Sequence, residues 1–198
     1  MTAAQGGGAA VATEQGALRV RTAAELFASI PEVGEDLAGR PASDSEAVPA
    51  FLARLLDSPT PEEAATFAAH VLAPRHAVWW GHECLMRLSD RLEPVDMEML
   101  GHAADWVGDP VEEMRLAAAR AAMACSSRTP GVWLAMAVAW SGGSMAPPDL
   151  PEVRPPPYLL GRGVNASVLS ALARCSRDER ARVLSGFVGM ARAMIDAG

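Results

Sequence analysis

The sequence contains no lysine, and isoleucine and asparagine are nearly absent. All 17 basic residues are therefore arginine, and with 24 acidic residues they give a formal net charge of −7 at pH 7. Nucleic acids and anionic membrane surfaces are bound through clustered cationic side chains. The acidic balance therefore argues against a nucleic-acid partner and against attachment to such a membrane surface.

Residues that favour strands are also scarce, since aromatic side chains make up only 5% of the chain. Alanine, by contrast, occurs 39 times, and alanine and arginine are both strong helix formers. Half of the residues are apolar and 21% are charged, which is the balance of a folded chain and not of a disordered one. The composition therefore predicts an all-α protein.

The sequence predicts neither an export signal nor a membrane-spanning segment. No run approaches the roughly 20 apolar residues that are needed to span a bilayer. The first 20 residues are rich in glycine and alanine, and they lack the basic and apolar regions of a signal peptide. We therefore predict a flexible leader over residues 1–20, a single all-α domain over residues 21–198 and a cytoplasmic location.

Metal-binding and disulfide spacings are absent as well, because the three cysteines are isolated and no CxxC pair occurs. These residues are Cys84, Cys125 and Cys175. An odd number of isolated cysteines indicates a reducing compartment. His82-Glu83 begins like a zinc-binding HExxH helix, but Met86 stands where the second histidine is required. We therefore expect no metal and no other cofactor. The four histidines are expected to lie at the surface or to be partly buried with hydrogen-bond partners; they are His70, His76, His82 and His102.

Hydrophobic periodicity and capping residues predict seven to nine helices packed as stacked hairpins, either in a solenoid or in an irregular bundle. The predicted segments are 22–29, 47–57, 61–73, 74–90, 94–107, 110–125, 131–140, 158–175 and 177–196. Prolines and glycines predict a loop over residues 31–45. Residues 131–140 are apolar on nearly every side, which is typical of a buried central helix.

A proline-rich strap precedes the last two predicted helices. Residues 141–157 contain six prolines and two glycines, a density that excludes a helix and favours an extended chain. Two compatible interpretations follow. The strap bridges two distant helices across the surface, or it presents Met145 and Leu150 to a partner.

The tandem tryptophans Trp79 and Trp80 lie in a predicted helix, where neighbouring side chains diverge by about 100 degrees. One of them is expected to be buried, while the other packs on an adjacent helix or is exposed as an anchor for a partner. The tryptophans and the strap supply the candidate partner-binding residues. These are Trp79, Trp80, Trp140, Ser144, Met145, Pro147, Pro148, Asp149 and Leu150.

Two strings of residues resemble a helical bacterial domain of unknown function. They are AVWWG at residues 77–81 and AWSGGSMAPPDLPEV at residues 139–153, followed by PPPYL. The resemblance covers residues 47–195. It implies a setting near type VI secretion genes, beside effector, spike-tip and adaptor proteins. It implies no catalytic residues and no mechanism.

The missing catalytic motifs, the acidic charge and the resemblance favour a non-enzymatic interaction module. The protein would be an accessory or adaptor of type VI secretion whose partner is an effector or a spike component. Two alternatives stay open. An immunity protein could cover the basic site of a toxic nuclease with its acidic surface. An enzyme could use His82, Glu83 or Cys84 in a concave site with a perturbed pKa.

Overall fold

The computed structural model describes residues 16–146 and 149–197. These residues form ten α-helices and no sheet, which confirms the predicted all-α class. The helices are α1 (Ala23–Ser29), α2 (Pro31–Asp36), α3 (Val48–Leu56), α4 (Glu62–Val71), α5 (Pro74–Met86), α6 (Pro94–Gly108), α7 (Glu112–Ala124), α8 (Pro130–Ala139), α9 (Leu159–Leu172) and α10 (Arg177–Ala197). A short 3₁₀ turn at Ser89–Arg91 follows α5.

The centre of the bundle is α8, which has no polar face and buries eight of its ten residues. It packs against α5, α6, α7 and α9. An α-helix that is apolar on every side is stable in water only when neighbouring helices surround it. The prediction of a buried central helix over residues 131–140 is therefore confirmed.

The helices form an irregular bundle and not a solenoid. In a solenoid each repeat contacts only its neighbours along the chain. Here α4 packs against α9, and α10 packs against α3, α4 and α5. Contacts between such distant parts of the sequence close the structure around one core.

The first turn of α8 is held by a buried carboxylate. Asp96, in the first turn of α6, has no exposed surface. Its Oδ1 accepts a hydrogen bond from the Gly131 backbone N–H at 2.8 Å, and its Oδ2 accepts one from the Glu93 N–H at 3.0 Å. Arg174, just after α9, donates to the same Oδ2 at 3.1 Å. Burial raises the pKa of Asp96, but the hydrogen bonds and the Arg174 charge outweigh burial and leave this pKa below its ordinary value.

The N-terminal part differs from the sequence prediction in one element. Residues 31–36 were predicted as loop and instead form α2, because Pro31 occupies the first helical turn and Val33 is fully buried. Within the predicted leader, Ala17 is buried and its C=O accepts a hydrogen bond from the Ala73 N–H at 2.8 Å. Residues 1–15 lie outside the described part of the chain, and a flexible leader stays a prediction for them.

Membrane insertion has no support in the helices that the structure describes. None of them combines the length and the apolarity that crossing a bilayer requires.

Candidate functional site

The connection between α8 and α9 is much longer than its two ends require. It contains the 19 residues between Ala139 and Leu159. Yet the start of α9 touches the end of α8: a Cβ atom on Gly163 would lie 2.9 Å from the Ala137 Cβ and 3.1 Å from the Trp140 ring. Helices that are neighbours in a bundle are usually joined by 2–8 residues. The strap therefore does not bridge distant helices, and most of its length is free for another use.

Hydrogen bonds close the strap into a loop. The Ser144 Oγ accepts hydrogen bonds from the backbone N–H of Ala146 at 3.0 Å and of Val153 at 3.1 Å. The Met145 N–H donates to the Val153 C=O at 2.8 Å. The two bonds that involve Val153 join the two sides of the segment and close it into a loop. We call residues 144–153 the display loop.

The display loop exposes apolar side chains that lie outside the hydrophobic core of the described residues. Met145 is 43% exposed, Leu150 is 56% exposed and Val153 is 48% exposed. Single exposed apolar residues are ordinary, but a contiguous group on a long loop marks a surface that a partner can cover. The structure therefore leaves the predicted residues Met145 and Leu150 exposed, and it places a further exposed apolar residue, Val153, beside Met145.

The other predicted strap residues have different positions. Ser144 is partly buried and closes the loop, so it positions the exposed residues and presents little surface of its own. Asp149 is exposed on the loop. Pro147 and Pro148 lie outside the described residues. Trp140 is partly buried at the end of α8, with its ring against α9.

A buried guanidinium fixes the base of the display loop. Arg115 of α7 is almost fully buried, and its Nη1 donates to the Ala139 C=O, at the last turn of α8, at 2.7 Å. Its Nη2 donates to the Ser144 C=O at 3.4 Å, and its Nη2 and Nε form a bidentate pair with Glu112 at 2.6 and 2.7 Å. The hydrogen bonds from Arg115 lower the pKa of Glu112 below its ordinary value. Gly143 has φ +62° and packs directly on Arg115, where a side chain would collide with the guanidinium.

An apolar groove lies beside the loop base. Its volume is about 270 Å³, and it is formed by α7, α8 and the start of the display loop. The side chains that form it are mostly those of leucine, methionine and alanine, and the most exposed of them, Met123, is 70% exposed. The apolar lining residues on which we rely below are Leu116, Ala119, Met123, Met136 and Met145.

The tandem tryptophans diverge as the helix geometry predicts. Trp80 has no exposed surface, and its indole N–H donates to the Phe187 C=O at 2.9 Å. It is therefore a core residue and is removed from the partner-binding set. Trp79 is 37% exposed and stacks on the His82 ring, with 4.9 Å between the ring centroids. Trp79 lies in a groove between α5 and α6 that shares no lining residue with the groove at the loop base.

The residues considered for catalysis are poorly arranged for it. His82 Nδ1 lies 3.0 Å from the carboxylate of Glu83, its neighbour in sequence. Cys84 is fully buried, and burial raises the pKa of its thiol well above the ordinary value. A nucleophilic cysteine needs the opposite shift, because the thiolate is the reactive form. Among the described residues, no group of three or more histidine, cysteine, aspartate or glutamate side chains is placed to hold a metal ion.

Two histidines depart from the sequence expectation. His76 is partly buried, and its Nδ1 is buried without a hydrogen-bond partner. His70 has no exposed surface, and neither of its ring nitrogens has a hydrogen-bond partner. Burial is the main cause that lowers the pKa of His70 to about 4, and the charges of Arg19 and Arg162 lower it further, while Asp36 opposes them. The ring packs on Gly161 of α9, where a Cβ atom would collide with Nδ1. His70 is therefore a neutral core residue at physiological pH.

Sequence reasoning missed Asp96 and Arg115, the two buried charged residues that contact the ends of α8. A local sequence pattern could have placed Asp96, since an acidic residue three positions after Glu93 and two after Pro94 fits the start of a helix. No local pattern could have placed Arg115, because its partners in α8 and the display loop lie 24 and 29 residues away.

Comparison with known families gives one match. The model of a family described as "Family of unknown function (DUF6931)" matches residues 51–195, which is well over half of the chain. The chain therefore belongs to this family, in agreement with the resemblance to a domain of unknown function. No curated protein and no solved structure matches the chain.

Proposed function

We propose that this member of the family is a non-enzymatic protein–protein interaction module and that the display loop is its recognition element. The observation that carries the proposal is the excess length of the α8–α9 connection, in which 19 residues join two helix ends that touch. Long loops without secondary structure in a small domain are usually functional or disordered. The Ser144 hydrogen bonds and the Arg115 contacts give this loop a defined base, which favours the functional alternative.

The exposed surface of the loop fits a protein partner. Met145, Leu150 and Val153 offer apolar area, which is the main source of affinity in protein interfaces. The backbone at the loop base is already ordered by hydrogen bonds, so binding costs less conformational entropy than it would for an unstructured segment. The burial of Cys84 and its raised thiol pKa add support, because they weaken the strongest nucleophile of the enzyme alternative.

The partner that we propose is an effector or a spike component of a type VI secretion system, which the protein would bind in the cytoplasm as an adaptor. The support for this class of partner is the resemblance of AVWWG and WSGGSMAPPDLP to a domain that occurs near such genes.

The test is affinity capture with the full chain, expressed with a tag in its native host. One variant replaces residues 145–152 with a Gly-Ser segment of equal length, and a second carries Leu150→Ser with Val153→Ser. Met86→Ser is the matched control, because Met86 is an exposed methionine on α5, outside the loop. Each variant must first show the helical circular dichroism of the wild type.

We expect the wild type and Met86→Ser to capture the same protein in near-equimolar amount and both loop variants to lose it. A partner that both loop variants retain would contradict the role of the loop. Failure to capture any partner under several growth conditions would contradict the interaction module itself.

A further inference from the structure

Acidic residues are distributed unevenly along the chain. The 35 residues from 114 to 148 contain no aspartate and no glutamate, although the whole chain contains 24 of them. The same stretch carries Arg115, Arg120 and Arg128. It forms most of α7, all of α8 and the start of the display loop. One region of an acidic protein is therefore both apolar and basic.

The groove at the loop base is built entirely from this stretch. Every residue that lines it lies between positions 115 and 146, so its wall contains no carboxylate. Leu116, Ala119 and Met123 follow one another at spacings of three and four on α7 and form one stripe along the helix. Met136 of α8 and Met145 of the display loop form the opposite side. Methionine side chains adapt their shape to the surface that they contact, and they recur in grooves that receive helices.

Arg120 supplies an unneutralised charge at the edge of this groove. It lines the groove and is exposed, and it makes no hydrogen bond or ion pair with any residue that the structure describes. The residues three and four positions away on α7 are Leu116, Ala117, Met123 and Ala124, none of which is acidic. Arg115, by contrast, is already paired with Glu112 and donates to two backbone carbonyls. An incoming carboxylate can therefore pair with Arg120 without breaking an existing bond.

We infer that this groove binds an amphipathic α-helix of the partner protein whose apolar stripe is flanked by acidic residues. The inference rests on the proposed function. It specifies the chemical character of the partner at the surface that contacts the display-loop region. The apolar stripe would cover Leu116 and Met123, and an acidic residue beside it would pair with Arg120. All 24 acidic residues of the chain lie outside residues 114–148. Their negative electrostatic potential repels an acidic helix from the rest of the surface and therefore favours its binding at this face.

The inference can be tested with two synthetic helical peptides and the full chain. Both peptides carry the same leucine stripe; one is flanked by glutamate and the other by lysine. Binding is measured by fluorescence anisotropy at low and at physiological salt. We expect the glutamate peptide to bind at least about tenfold more tightly than the lysine peptide, and we expect added salt to reduce the difference.

Two substitutions in the groove have matched controls elsewhere. Met123→Gln is expected to weaken binding of the glutamate peptide about tenfold, as truncation of a central apolar contact does. Arg120→Glu is expected to reverse the preference in favour of the lysine peptide. Met97→Gln on α6 and Arg192→Glu on α10 make the same chemical changes at exposed sites outside the groove and are expected to leave binding unchanged.

Several outcomes would overturn the inference. The lysine peptide binds as tightly as the glutamate peptide, the control variants lose binding as much as the groove variants, or neither peptide binds. A wild-type chain that dimerises in sedimentation velocity, with dimerisation abolished by Met123→Gln, would assign the groove to a second copy and would also overturn it. A captured partner that is lost by the display-loop variants but retained by Met123→Gln and Arg120→Glu would overturn this inference while leaving the proposed function standing.

Discussion

The two ends of α8 are held by buried charges of opposite sign, and they lead to different structures. At the N-terminal end the Asp96 carboxylate accepts from the Gly131 N–H, and at the C-terminal end the Arg115 guanidinium donates to the Ala139 C=O. Each charge has the sign that the helix dipole favours at its end. The same device thus supplies a partner at each end of a helix whose N-cap residue, Thr129, makes no side-chain capping bond.

The difference lies in what surrounds each charge. Asp96 is shared between the first turn of α6, the first turn of α8 and Arg174 beyond α9, and it is completely enclosed. Arg115 holds the end of α8 and the base of a loop whose apolar side chains remain exposed. The N-terminal end therefore contributes mainly to stability, whereas the C-terminal end fixes the position of a binding surface.

Removal of the carboxylate at the N-terminal end gives the largest expected effect. Asp96→Ala leaves the Gly131 and Glu93 N–H groups without a buried acceptor and takes the partner from Arg174. We expect a loss of about 3–5 kcal/mol in the free energy of unfolding, measured by urea denaturation. Asp96→Asn keeps the shape without the charge and is expected to lose less. Glu98→Ala changes an exposed carboxylate on the same helix and should cost no more than about 0.5 kcal/mol. A loss of similar size in Glu98→Ala would contradict the role given to Asp96.

His70 is a third buried polar side chain, and unlike Asp96 and Arg115 it has no hydrogen-bond partner. Its pKa is lowered to about 4 in the folded state, against 6.5 for the ordinary side chain. As the pH falls from 6.5 to 4, the unfolded chain takes up a proton that the folded chain does not, so the folded state loses stability over this interval. The loss from this group approaches about 3 kcal/mol near pH 4.

The measurement for His70 is urea denaturation of the wild type and of His70→Leu at pH 7 and at pH 4.5. At pH 7 the variant should be as stable as the wild type or more so, because an apolar side chain replaces an unpaired polar one. At pH 4.5 the variant should be clearly the more stable of the two. Equal losses of stability on acidification in both proteins would show that His70 is not the titrating group.

A smaller loss of stability is expected at the C-terminal end of α8. Arg115→Met removes the charged donor from the Ala139 C=O but leaves the exposed Glu112 carboxylate free to be hydrated. We expect a loss of about 1–3 kcal/mol in the free energy of unfolding. Arg120→Met, on an exposed position of the same helix, is expected to stay within about 0.5 kcal/mol of the wild type. If the two ends of α8 were equivalent, Arg115→Met and Asp96→Ala would cost the same.

The smallest effect on stability is expected from the loop tip. Leu150→Ser with Val153→Ser removes apolar side chains that are already exposed, so the free energy of unfolding should change by no more than about 0.5 kcal/mol. Partner capture should be lost in the same variant. A large loss of stability would indicate that these side chains belong to the core and not to a binding surface.

The sequence was informative wherever structure depends on neighbouring residues. The apolar run at residues 131–140 indicated the buried helix, and the angle between successive helical residues predicted that Trp79 and Trp80 would diverge. Proline at position 31 predicts a break between helices, although proline is equally suited to the first turn of a helix. That ambiguity explains why α2 was missed.

The site depended on contacts between distant residues and could be predicted only in part. Proline and glycine content predicts the strap and, within it, the candidate residues Met145 and Leu150. Closure of the loop by Ser144 and Val153 depends on a register that composition does not encode. The Gly163 backbone packs against Ala137, so the loop is longer than the distance between the two helices requires. This tertiary contact cannot be predicted from neighbouring residues in the sequence.

The closed base of the display loop has a consequence for how such a protein can diversify. The hydrogen bonds at Ser144 and the Arg115 contacts separate the loop tip from the packing of α8 against α9. Residues can be inserted or exchanged beyond this closure at little cost, since doubling the length of a flexible loop costs only about 0.6 kcal/mol in closure entropy. A chain built in this way can acquire a new binding specificity at its tip while the helical bundle that supports the tip stays the same.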